Sequence, residues 1–94
     1  MSDHNQRDLP LRSKRAMVQD VGQALRFLHE GGKAKLDVVI RDLKTRSIDL
    51  EENVQQSVLI FSEQVDFQYA YDPWHLVTRD ITRAADRLIA ILRG

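Results

Sequence analysis

The stretch Leu50–Tyr71, LEENVQQSVLIFSEQVDFQYAY, decides the fold. Leu50, Val54, Val58, Phe61 and Val65 recur at intervals of four, four, three and four residues, the spacing of one buried stripe on an α-helix. Ile60, Phe67 and Tyr71, with Gln64 between them, form a second set on roughly the opposite side. A helix apolar on two sides is either the central member of a bundle or the shared wall of an oligomer. The pattern sets an architecture and names no chemistry.

This helix is expected to open at Asp49, whose carboxylate can cap it while Glu52 returns the bond, an approximate capping box. Upstream, Leu36, Val39, Ile40 and Leu43 give a stripe over 33–46, with Val38 at its edge. Val38-Val39-Ile40 favours a strand, but Lys33-Ala34-Lys35 and Arg41-Asp42-Leu43-Lys44 favour a helix, and helix is the reading. No glycine or proline interrupts 33–72, and Leu36, Ile40, Leu43, Ser47, Leu50 and Val54 keep a helical spacing throughout. A turn near 46–49 is expected; its rival is one continuous rod, which only a dimer would bury along its length.

Nearer the N-terminus, Met17, Val18, Val21, Ala24, Leu25 and Leu28 form the stripe of a helix over 13–30, opposed by Arg15, Gln19, Gln23 and Arg26. Ser13 is the expected N-cap, and Gly31-Gly32 the terminator, since glycine takes the left-handed conformation without penalty. Residues 1–12 have little to bury and are expected to be a flexible segment before a single domain at 13–94. Beyond the deciding stretch, Asp72-Pro73 is expected to start a last helix over 73–93, with Asp72 as N-cap and proline at the first helical position. Its stripe would be Trp74, Val77, Ile81, Ala84, Ala85, Leu88 and Leu92. The last two helices, joined by so short a link, would be antiparallel neighbours.

Composition narrows function by exclusion. Ninety-four residues with 43% hydrophobic and 30% charged side chains fit one globular domain. Fourteen basic and fourteen acidic residues cancel, so no overall field draws the chain to nucleic acid or anionic lipid. With no cysteine, disulfides, thiolate metal sites and cysteine nucleophiles are excluded. The polar opening MSDHNQRDLP has no apolar signal region, and the longest apolar run, Val58–Phe61, is too short for a membrane span. The expectation is a cytoplasmic protein with no membrane partner.

Site signatures are sparse. His75 lies near Tyr69, Tyr71, Asp72 and Trp74 in sequence, with Glu63 further off; an enclosed imidazole in that company would serve as general base. By helical phase, however, it falls on the outer side of the last helix. A carboxylate-bridged metal in a bundle needs Glu-x-x-His pairs, and none occurs; no metal and no cofactor are expected. Gly31-Gly32 lacks the lysine and hydroxyl ending of a phosphate loop, and Ser57 and Ser62 sit inside a helix. Arg79, Arg83 and Arg87, four residues apart, make a basic ridge, and Arg12, Lys14 and Arg15 a basic cluster; both match nucleic-acid phosphates, though Asp80 and Asp86 flank the ridge.

No motif here is specific enough to name a family. The fold expected is all-α, a small three- or four-helix up-down bundle with a long antiparallel hairpin of the last two helices, monomeric or dimeric. The function expected is a non-enzymatic interaction module (adaptor, regulator or immunity-type protein). It would act through Ile60, Phe67 and Tyr71, with Phe27 at the edge of its helix joining them, on a second copy or another protein. The alternatives are a nucleic-acid-binding regulator using the two basic clusters and, behind it, a small enzyme working through His75.

Overall fold

Packing one apolar stripe per helix produces a ring of four helices. The computed structural model describes the backbone of residues 2–76 and 78–94 and the side chains of residues 12–76 and 78–94. The helices are α1 (Ser2–Glu30), α2 (Lys33–Ser47), α3 (Glu52–Tyr71) and α4 (Arg79–Arg93), and no strand occurs among the described residues. Each helix packs on two others: α1 on α2 and α4, and α3 on α2 and α4. The diagonal pairs do not pack on one another. Inside the ring lie Met17, Val21, Ala24 and Leu28 of α1, with Leu36, Val39, Ile40 and Leu43 of α2. Val54, Val58, Phe61 and Val65 of α3 meet Ile81, Ala85, Leu88 and Leu92 of α4 in the same core. Each large side chain withdrawn from water in this way contributes roughly 1.5–3 kcal/mol. The helices therefore depend on the ring for stability, since most of a helix's stability in a protein comes from packing its apolar face.

The connections follow from local chemistry. Gly31 adopts φ 77° and the Gly32 N–H donates to the Phe27 carbonyl at 2.9 Å, a Schellman closure that requires a left-handed residue. The expected glycine terminator is thus in place. α2 and α3 are separate, with Ile48–Glu51 outside both, so the chain forms no continuous rod. The expected capping box is absent: the N-cap of α3 is Glu51, with no side-chain cap bond. Instead the Gln55 side-chain amide donates to the Ile48 and Leu50 carbonyls at 3.1 and 2.8 Å. One glutamine amide thereby satisfies two turn carbonyls, which the carboxylates of Asp49 and Glu52, being acceptors only, could not do.

Two expected boundaries move. α1 runs through Ser13, which sits inside the helix and has no terminal N–H to cap. The flexible-segment reading of 1–12 falls largely on residues, up to 11, whose side chains are outside those described. At the other end, α4 begins at Arg79, not at Pro73, and the link from α3 is the longer segment 72–78. Asp72 Oδ1 accepts from the Trp74 N–H at 3.2 Å, and the His75 N–H donates to the Asp72 carbonyl at 3.2 Å. These bonds make one turn around Pro73-Trp74 that does not propagate. Thr78 is the true cap, its Oγ1 accepting from the Ile81 N–H at 3.2 Å. Trp74, in phase with the α4 stripe had the helix reached it, is instead 89% exposed, and Leu76 enters the core in its stead. Val77, expected in the same stripe, lies outside the described residues.

Two half-buried polar groups sit imperfectly in this packing. Asp20 Oδ2 of α1 lies 3.6 Å from Arg46 Nε of α2 with no hydrogen bond, and its desolvation outweighs the arginine's attraction and raises its pKa above 3.8. The fold thus holds this proton more tightly than the unfolded chain does. Asp20 favours folding most below pH 3.8, and that contribution is lost as pH rises through the raised value. Asp20→Asn is expected to raise Tm at neutral pH and to bring no gain below pH 3.8; thermal unfolding at the two pH values checks it. Tyr69, its ring beneath the Lys33 ammonium, keeps a buried hydroxyl with no partner, and burial, then the Asp37 charge, pushes its pKa up. Tyr69→Phe is expected to stabilise the protein by about 1 kcal/mol in urea titration, because it removes an unsatisfied polar group and keeps the ring.

Candidate functional site

With only α2 and α4 beside it, α3 has one face toward the core and a wide arc that no helix covers. The second apolar set lies on that arc. Ile60 is 44% exposed, Phe67 63% and Tyr71 77%. At about 100° per residue the set stands nearer a third of a turn than half a turn from the core stripe. It is a flank bordering α4 and not the opposite side: Ile60 and Gln64 share an open depression of about 370 Å³ with Asp80, Arg83, Ala84 and Arg87. Phe67 and Tyr71 stack one turn apart, their ring centroids 5.8 Å apart and the planes within 8°. The stacked aromatics and the groove follow one another along the same flank of α3, with Gln64 between Ile60 and Phe67.

The fourth residue expected here is elsewhere. Phe27 is half-buried against the core, with the Lys35 ammonium of α2 5.8 Å from its ring centre. It belongs to the α1–α2 contact, and α1 does not pack on α3. Ile60, Phe67 and Tyr71 share a face; Phe27 sits on another.

The basic residues divide similarly. Arg79, Arg83 and Arg87 are all exposed, and among the described residues none has a carboxylate within ion-pair distance. Arg83 and Arg87 border the apolar stripe, so ridge and stripe form one composite surface. Lys14, by contrast, donates to Glu51 Oε1 at 3.0 Å and ties α1 to the α2–α3 turn. A backbone N–H bond, and then Lys14, hold the Glu51 carboxyl below its usual range. Arg12 and Arg15 remain exposed, Arg15 beside Val18, Gln19, Leu92 and Arg93.

His75 lies in the 72–78 link, its side chain 79% exposed and its Nδ1 2.7 Å from Asp72 Oδ2. Gln68 of α3 braces the link, donating to the Asp72 and His75 carbonyls at 3.2 and 2.7 Å. The open depression beside it is lined by residues including His29, Glu30, Tyr69 and Trp74, and by neither Tyr71 nor Glu63. Asp72 stands against the imidazole and Tyr69 lines the same depression, but His75 is exposed where a general base would be enclosed, and Tyr71 and Glu63 are not assembled around it. Among the described residues no three His, Asp or Glu side chains converge as a metal site, and no helix is long and apolar enough to cross a membrane.

Asp80 and Ala84 are the parts of the groove that sequence reading misses. Gln64 was visible as the spacer of the stripe; the α4 residues had no signal, because their position beside Ile60 depends on how α3 and α4 align. The chain matches no family model, no curated protein and no solved structure.

Proposed function

We propose that this chain is a non-enzymatic interaction module of the cytoplasm, an adaptor, regulator or immunity-type protein, that associates through the outer flank of α3. Its frame is an up-and-down bundle in which α3 and α4 form an antiparallel hairpin. The observation that carries the reading is the exposure of Ile60, Phe67 and Tyr71 along one flank of α3, with Gln64 between the first two and two aromatic rings stacked in the open. Isolated exposed apolar residues are ordinary on protein surfaces, whereas a contiguous strip rimmed by charge is what recognition faces are built from. Aromatic and arginine side chains together supply most hot spots in protein interfaces, and here Arg83 and Arg87 adjoin the strip.

The test separates interface from core. Phe67→Ser with Tyr71→Ser is expected to leave helicity and Tm nearly unchanged, since exposed substitutions cost within about 0.5 kcal/mol. Phe61→Ala, at a fully buried position, is expected to cost about 3–5 kcal/mol. The double serine variant is also expected to abolish self-association or partner binding. If it unfolds the chain as Phe61→Ala does, the strip is core and the reading fails.

Nucleic-acid binding is the second reading, and the freedom of Arg79, Arg83 and Arg87 from intramolecular ion pairs among the described residues favours it. It predicts affinity for duplex DNA that falls steeply with salt as counterions are released. Absence of retention at low salt, or retention unchanged by Arg83→Glu/Arg87→Glu, would end it.

A further inference from the structure

We infer that the partner of the α3 flank is a second copy of this chain, related by a two-fold axis running roughly along α3. In this pairing the arginine edge of each copy meets the Glu63 edge of the other. The inference rests on the interaction-module reading and adds the occupant and its orientation.

The strip has two unlike edges. On the α4 side stand Arg83 and Arg87 with Asp80, a net positive edge, across the groove from Gln64 and Ile60. On the other side is Glu63, exposed, one turn before Phe67 and so in contact range of its ring along the helix. Neither arginine nor Glu63 has an ion-pair partner among the described residues. The two edges also lie at one height. Arg83 and Arg87 are level with Gln64 and Ile60, and Glu63 falls between those two positions in the same helix.

Symmetry then discriminates. A two-fold axis parallel to α3 preserves height and exchanges edges, bringing Glu63 of each copy opposite Arg83 and Arg87 of the other while the aromatic strips meet between them. An axis perpendicular to α3 within the contact plane lays each edge on its own duplicate, so that four guanidinium groups meet only the two Asp80 carboxylates and both glutamates stay unpaired. Like charges facing one another oppose association, and opposite charges select register. A formal net charge of zero removes overall repulsion between copies. The face thus carries within one chain both halves of the charge pattern needed to close it.

The mass of the full chain is measured by sedimentation equilibrium from about 1 µM to 1 mM at low salt, with circular dichroism confirming that every variant is helical. The native chain is expected to dimerise. Glu63→Arg alone, and Arg83→Glu/Arg87→Glu alone, are expected to weaken the dimer by about tenfold or more. Combining them is expected to restore the native affinity, since the edges have only been exchanged. A native dimer indifferent to either reversal, or not restored by the combination, overturns the orientation. The apolar dye 1-anilinonaphthalene-8-sulfonate separates the two levels. A native monomer that binds the dye, and loses it in Phe67→Ser/Tyr71→Ser, overturns the second copy and keeps the recognition face. A native monomer whose dye binding ignores that substitution overturns both.

Discussion

Ring closure is the constraint on which this protein depends. Four helices of unequal length bury one stripe each, and the ring closes through α1 against α4. Once closed, each helix has two neighbours and no more, so an apolar residue beyond the inward stripe and its half-buried edges is left to solvent. Val54, Val58, Phe61 and Val65 use up the inward face of α3. Ile60, Phe67 and Tyr71 are surplus to it. Their exposure follows from the count of neighbours available in a four-membered ring.

That surplus costs solubility and carries an aggregation risk unless it is used. The charges around it offset that risk in part: Glu63 borders one edge, Arg83 and Arg87 the other, and Asp80 lies in the groove. The same arrangement that keeps the strip hydrated in the free chain gives it direction when it is covered. Stability and recognition thus sit on different sides of one helix. Substitutions on the inward side are felt as unfolding, those on the outward flank as loss of association.

Sequence carried the helices well because burial enforces periodicity. Every residue of the α3 core stripe except Leu50, which is only half-buried in the turn before the helix, is in the core. Gly31-Gly32 marked its turn because a positive φ leaves little choice of residue. The 72–78 link was misread for an equally physical cause. Asp72-Pro73 makes the same first bonds in an isolated turn as at a helix start, and Trp74 happened to be in phase. The helix starts instead after Thr78, whose capping role becomes visible only once the turn has failed to propagate.

The site was half legible. Ile60, Phe67 and Tyr71 were recognisable as a second stripe because they share one helix. The convergence of Arg83, Arg87 and Ala84 on that stripe was not, because it depends on the alignment of two helices. Phe27 illustrates the reverse error: an apolar residue at a stripe's edge looks available until the neighbouring helix, here with Lys35, folds over it. The Gln55 and Gln68 braces were invisible for a similar reason, as amides reaching carbonyls seven residues away leave no periodic trace.

The most direct measurement is hydroxyl-radical footprinting of the aromatic side chains, read by mass spectrometry at several protein concentrations. In the dilute chain Phe67, Tyr71 and Trp74 should oxidise readily and Phe61 should not. As concentration rises, Phe67 and Tyr71 should become protected while Trp74, away from the strip, continues to react. Protection of Phe67 and Tyr71 in a chain that sediments as a monomer would mean the chain covers that face itself, and reactivity at every concentration would mean a second copy does not.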